Sequence, residues 1–155
     1  MTPRLDNPHG LGTGPIKAMV ALEGSLSKCS LDHGLLELVK LRASQINGCA
    51  FCIHMHSTWL RASGETEMRL YMLNAWRESS LYSPRERAAL AWTEALTLLA
   101  ETGAPDEDYA LVKAEFSEEE QVDLTIAIGA INVWNRLQVG FRAAHPVDKA
   151  PGAAA

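Results

Sequence analysis

The stretch ELVKLRASQINGCAFCIHMH, from Glu37 to His56, places one glutamate, two cysteines and two histidines within twenty residues. Its first half continues a helical pattern that opens at Asp32, a good N-cap, and runs through LLELVKLRAS. Asn47-Gly48 then reads as a stop, because these two residues tolerate the left-handed backbone that ends helices. A further helix is expected to begin at once near Cys49 and to end at Gly64. Two helices joined by a tight turn leave no strand ahead of the Cys-x-x-Cys spacing. A thioredoxin-like frame needs that strand, so the stretch predicts a helical fold.

A helix turns about 100° per residue, which sets the geometry of the motif. With Cys49 at zero, Cys52 lies near −60°, His56 near −20° and His54 near +140° (roughly, from that turn). Both thiols and His56 therefore share a face, with Ile53 and Leu60 flanking it, while His54 points away as a surface or interface histidine. Three readings compete. Zinc wants about four convergent nitrogen or sulfur ligands, and this face offers fewer, with Cys29 and His145 isolated elsewhere. Inert core cysteines are common, but this spacing with a histidine one turn on is more than they require. A redox dithiol fits best. The positive end of a helix stabilises a thiolate, and a neighbouring histidine lowers thiol pKa values further. Positions i and i+3 also bring two sulfurs within bridging distance after modest rearrangement.

Outside this stretch the chain reads as one all-α domain over residues 1–155, compact, with about six to seven helices. Residues 1–14 and 146–155 are expected to be irregular. Ile16, Met19, Val20, Glu23 and Leu26 mark a first helix after Pro15. A fourth helix is expected over roughly 65–78. Ser83-Pro84-Arg85-Glu86 opens another that runs to about Glu101 and stops at Gly103. A short helix follows Pro105, and Ser117–Glu120 caps the last long one. That last helix is apolar nearly all round over Leu124–Trp134, so it is expected to be buried on all sides, with Gly129 admitting a close neighbour.

Apolar residues make up 47% of the 155, charged residues 21%, and the net charge is −5. With no basic run, nucleic acid and anionic membranes are poor partners. No apolar stretch is long enough to span a bilayer, and the N-terminus lacks a secretory core. Three cysteines make no secreted disulfide framework, so the expected compartment is the cytoplasm.

The pattern Glu-x11-Cys-x-x-Cys-x3-His, met by Glu37, Cys49, Cys52 and His56 and followed by TWLRASGE, resembles the signature of the alkylhydroperoxidase D-like branch of the carboxymuconolactone decarboxylase family. A weaker likeness extends to AINVWNRLQVGFR near the C-terminus. The resemblance implies an all-helical homo-oligomer, a trimer or a hexamer, that reduces hydroperoxides with electrons from a dithiol or protein donor and needs no cofactor or metal. It assigns Cys52 the attack on the peroxide, Cys49 the resolution to a Cys49–Cys52 disulfide, and His56 with Glu37 a proton relay. Where some members carry a histidine between the cysteines, this chain has Phe51, which removes one proton carrier. Two other functions stay open: a lactone decarboxylase, whose family members lack the cysteine pair, and a non-enzymatic dithiol redox-sensing module. By the residues alone Glu37 reads as a solvated helix residue or a salt bridge to Lys40 or Arg42. Cys29 reads as a buried or incidental thiol. Asn135 and Arg136, in an apolar helix, need hydrogen-bond partners that the sequence does not name.

Overall fold

The structure is a computed structural model that describes residues 2–146. Among these it contains nine α-helices, one 3-10 turn and no strand. In chain order the α-helices are α1 (Pro8–Leu11), α2 (Thr13–Leu26), α3 (His33–Ile46), α4 (Ala50–Ala62), α5 (Glu67–Met72), α6 (Pro84–Thr97), α7 (Leu99–Thr102), α8 (Asp106–Glu115) and α9 (Glu118–Phe141). The 3-10 turn, Leu73–Ala75, follows α5 directly. The all-α expectation holds, and the count exceeds six to seven because two four-residue helices, α1 and α7, add to those expected.

Local chemistry explains most boundaries. The Asp32 carboxylate accepts from the Leu35 N–H at 3.0 Å and starts α3. Ser83 and Ser117 each close a reciprocal capping box, with Glu86 and Glu120, at the heads of α6 and α9. Two expectations on length fail for tertiary reasons. The helix expected over 65–78 tightens after Met72: the Tyr82 hydroxyl takes the Arg69 carbonyl that the Leu73 N–H would fill in an α-helix, and Leu73 bonds the Leu70 carbonyl instead. The helix expected to run to Glu101 breaks at Leu98, where the Thr102 hydroxyl takes the Ala95 carbonyl that Leu99 would otherwise fill. Residues 1–14, expected to be irregular, include α1 and the start of α2. Residues 147–155 of the expected irregular tail lie outside the described residues.

Helix α3 runs through the centre, packed by α4, α6 and α9, and hides even Glu37, Lys40 and Ser44. One cluster of apolar side chains joins α2, α3, α6, α8 and α9 around Val39, Ala89, Leu124 and Ile128. A second joins α3, α4 and α6 around Leu38, Leu41, Leu73 and Leu90. Ile53 and Leu60 belong to that second cluster, whereas the sulfurs pack with Ala43 and Ile131.

Helix α9 departs from expectation. It is buried on one side by Leu124, Ala127, Ile128 and Ile131, but Val122, Ile126 and Val133 stand exposed on the other. Space opposite Gly129 is open in the single chain. The apolar composition all round therefore covers two faces with different surroundings, not one buried rod. No helix among the described residues is long and apolar enough to cross a membrane.

The N-terminal segment lies along the end of α9. Arg4 donates its backbone N–H to the Phe141 carbonyl and its guanidinium to the Gly140 carbonyl, each at 3.0 Å. His9 of α1 stacks on Trp134 with ring centres 5.9 Å apart and lies 3.2 Å from the Gln138 amide.

Candidate active site

The turn between α3 and α4 sets the two sulfurs. Gly48 takes φ +64°, a left-handed value that glycine adopts without cost. The chain then reverses, the Cys49 N–H donates to the Ser44 carbonyl at 2.9 Å, and Cys49 becomes the N-cap of α4. From there Cys49 Sγ accepts from the Cys52 N–H at 3.4 Å. The two sulfurs stand 2.7 Å apart as free thiols, each side chain almost wholly enclosed.

One turn beyond Cys52, His56 meets Glu37 from α3. The distance from Nδ1 to the carboxylate is 2.7 Å, and both residues are about as buried as the sulfurs, at 2% and 3% exposure. Burial pushes the Glu37 carboxyl up, but the His56 hydrogen bond and the charges of His56 and Lys40 outweigh it, so the group stays below the ordinary carboxylate value. A carboxylate can only accept, so Nδ1 carries the proton. In the neutral ring, Nε2 then offers a lone pair, and it is buried with no hydrogen-bond partner among the described residues. Trp59 holds the imidazole edge-on, ring centres 5.6 Å apart.

The expected alternatives for Glu37 are thus met in part. Lys40 does reach it, at 3.4 Å, while Arg42 turns to Glu94 instead. Lys40 also bonds Glu23 at 2.9 Å, and Glu23 accepts from the Trp134 indole at 3.0 Å. A continuous polar chain therefore runs from His56 through Glu37, Lys40 and Glu23 to Trp134. Nothing in the sequence pointed to Glu23 or Trp134, because both contacts join residues far apart along the chain.

A cavity of about 390 Å³ opens over this chain. Phe51, Met55, Trp59, Ile131 and Trp134 give it an apolar wall, Glu37, Lys40 and His56 a polar one, and His9 stands at its edge. Cys52 lines it, whereas Cys49 lines a separate depression of about 130 Å³ beside Gly48 and Arg142. Among the described residues no cluster of three or more His, Cys, Asp and Glu is arranged to hold a metal ion.

The electrostatics of the two thiols differ. The hydrogen bond from Cys52 lowers Cys49; burial opposes it, backbone N–H groups and the Asn135 amide assist, and the value falls to about 7. The same hydrogen bond, burial and the charge on Cys49 push the Cys52 thiol up, against the Asn135 and Ser44 side chains. The first negative charge on the pair therefore settles on Cys49, although Cys52 is the sulfur that faces the cavity.

The remaining residues are placed as follows. His54 is half-buried, its ring 5.6 Å from that of His145. Cys29 is half-buried against the larger apolar cluster. Arg136 is exposed and folds back on Asn132 of its own helix. Asn135 is 1% exposed and points inward, to Ser44 and Asn47.

Residues 16–95 match the profile of the carboxymuconolactone decarboxylase family. The uncharacterized protein YdfG of Bacillus subtilis (strain 168) is 46% identical over 131 residues, 83% of this chain and 89% of that protein. A crystal structure from Agrobacterium tumefaciens, of a protein of unknown function provisionally described as the antioxidant defence protein AhpD, is 46% identical, with a TM-score of 0.90. The match covers 95% of this chain and all of that one. An uncharacterized peroxidase-related protein from Ralstonia eutropha JMP134, with an alkylhydroperoxidase AhpD core, is 18% identical, with a TM-score of 0.78 over 96% of this chain and 78% of that one. That last likeness is one of fold alone. The chain belongs to the carboxymuconolactone decarboxylase family, in its alkylhydroperoxidase D-like branch.

Proposed function

We propose that the protein reduces hydroperoxides with the Cys49–Cys52 dithiol, using His56 and Glu37 to move protons. One observation carries this reading: a buried sulfur pair lies beside a cavity that also takes in the histidine whose free nitrogen has no partner among the described residues and whose other nitrogen is held by a carboxylate. A carboxylate–imidazole pair of this kind takes a proton readily and gives it back.

The steps balance. The thiol pair gives one proton to His56 Nε2, and Glu37 offsets the charge of the imidazolium. The remaining proton is shared across the sulfur contact, so it can sit on Cys49 and leave the charge on Cys52, facing the cavity. Cys52 attacks one peroxide oxygen and the O–O bond breaks. The imidazolium protonates the leaving alkoxide, which departs as an alcohol, and Cys52 is left as a sulfenic acid. Cys49 then attacks that sulfur, its proton leaves with the hydroxyl as water, and a disulfide forms. An external dithiol restores the pair by exchange.

The family resemblance supports the same division of labour, and the placement of Cys52 on the cavity supports it as the attacking sulfur. The test is peroxide consumption with a dithiol reductant. Cys52→Ser is expected to abolish it. Cys49→Ser is expected to stop turnover yet leave one sulfenic acid per chain, trapped by dimedone. Trapping on Cys49 and never on Cys52 would reverse the assignment. Turnover of a lactone that persists in both variants would point to the decarboxylase side of the family, where Glu37 and His56 act alone.

A further inference from the structure

Lys40 and Glu23 are two charged side chains at the cavity that the mechanism above leaves unused. Lys40 sits on α3 one turn after Glu37 and is 9% exposed. Its ammonium donates to Glu23 Oε2 at 2.9 Å and lies 3.4 Å from Glu37 Oε1. The other oxygen of Glu37, Oε2, accepts from His56 Nδ1 at 2.7 Å. The other oxygen of Glu23, Oε1, accepts from the Trp134 indole at 3.0 Å. All four carboxylate oxygens are therefore engaged, and the lysine stands between the two acids.

The charges along this chain do not cancel. Two carboxylates share one ammonium, so one negative charge is left over while His56 is neutral. An imidazolium at His56 cancels it. Charge left unbalanced away from water is costly, so the chain draws a proton onto the ring. Lys40 limits that pull. Without it, two negative charges would act on the ring, which would then hold its proton too tightly to pass it to a leaving alkoxide. Without Glu23 the pull would weaken. Consistent with this geometry, burial pushes the Glu37 carboxyl up, and His56, with Lys40 after it, more than offsets that.

We propose that Lys40 is a positioning residue for the proton relay, with Glu23 as its counter-charge: the pair holds Glu37 on His56 and sets how tightly the imidazole keeps the proton it takes. The other titratable groups lining the cavity are His33 at the head of α3, His9 of α1 and Cys52 of α4, with Cys49 behind Cys52. Helix α9 lines it with Ile131, Trp134 and Gln138, none of which titrates. These groups are the same in every variant below, so the comparison isolates Lys40 and Glu23. The proposal rests on the peroxidase reading for its place in the reaction, but its first test reads the proton on His56 and needs no peroxide.

The His56 ring is followed by NMR in the reduced full chain from about pH 5 to 9, a window around the ordinary imidazole range. Its signal is assigned by its loss in His56→Ala. Lys40→Met keeps the stem and removes the charge, and is expected to raise the midpoint by about one pH unit or more, the order of effect of one unit charge a few ångströms away. Glu23→Gln keeps the shape and is expected to lower it. The double variant removes one charge of each sign and is expected to return close to wild type. Glu23 is half-buried at the cavity edge, so Glu23→Gln decides the matter if Lys40→Met does not fold by circular dichroism. The pH profile of thiol loss with tert-butyl hydroperoxide is expected to move in the same direction as the ring in each variant. Ring midpoints of folded variants that superimpose on wild type, or that move the same way in both single variants, would overturn the proposal. So would a peroxide profile that ignores the ring shifts. Opposite ring shifts in a protein that consumes no peroxide would support the charge balance and reject the peroxidase reading instead.

Discussion

His56 shows one ring nitrogen to Glu37 and keeps the other bare, and this asymmetry organises the site. The cost of leaving a buried imidazole nitrogen unpaired is about 1–3 kcal/mol, so a purely structural histidine would be expected to find a partner. We expect His56→Ala and Glu37→Gln each to slow reaction of the thiols with peroxide by roughly 10²–10⁴-fold, the span of one general acid–base group. Stopped-flow thiol loss checks this, and full activity in a folded Glu37→Gln would remove the carboxylate from the mechanism. The same carboxylate carries a pH signature. Its folded value lies below the ordinary one, so its stabilising contribution is complete above the ordinary carboxylate range and is lost as pH falls through the lowered value. Wild type should therefore lose more stability than Glu37→Gln as the pH is lowered from about 5 to 3, a window set by the ordinary carboxylate value. Urea titrations at those pH values that fall in parallel for the two proteins would contradict this.

Between residue and molecule stands the α3–turn–α4 unit, which delivers Glu37, Cys49, Cys52 and His56 from two consecutive helices. Its hinge is Gly48. A Cβ added there meets nothing within 4 Å, so substitution costs backbone strain and no collision. Gly48→Ala should therefore lose about 1 kcal/mol, as for a left-handed alanine, while keeping the fold. Urea denaturation measures the loss, and an unchanged midpoint would mean the turn relaxes to another geometry. The unit was legible in the sequence because its signals are local. Asp32, Asn47-Gly48, Ser83 and Ser117 all mark boundaries through bonds that span three or four residues. The pairing of Glu37 with His56 was not readable from spacing, since it joins two helices, and only the family resemblance pointed to it. The early end of α5 was hidden for a similar reason: the Tyr82 hydroxyl, thirteen residues on from the Arg69 carbonyl it takes, decides it. Asn135 needed a partner by any reading, but the sequence could not say that the partners sit at the turn between α3 and α4.

At the scale of the whole molecule, the bare side of α9 is the feature to explain. Val122 is 58% exposed, with Ile126 and Val133 along the same face and Leu98 and Leu99 beside it. Contiguous apolar surface of this kind marks interaction sites in soluble proteins. We propose that copies of the chain meet on this face in the trimer or hexamer that the resemblance implies. Sedimentation at micromolar concentration is then expected to give at least three times 16.9 kDa. Ile126→Glu, which sets a charge in that face without touching the thiols, should lower the mass. A single species of the monomer mass in wild type would reject the assembly. Residues 1–28 do cover part of α9: Arg4 and His9 reach its end, Glu23 takes the Trp134 indole and Leu26 joins its buried cluster, yet Val122, Ile126 and Val133 stay exposed.

The position of Asn135 near the end of the chain has a consequence for synthesis. Cys49 and Cys52 leave the ribosome long before the part of α9 that packs over them. The intervening stretch, 135 − 52 = 83 residues, takes about 4–17 s to translate at roughly 5–20 residues per second. For that interval the two sulfurs lack the cover that Ile131 gives them in the folded chain. Their enclosure is complete only when α9 docks, so the order in which the helices are made leaves both thiols open to solvent during synthesis.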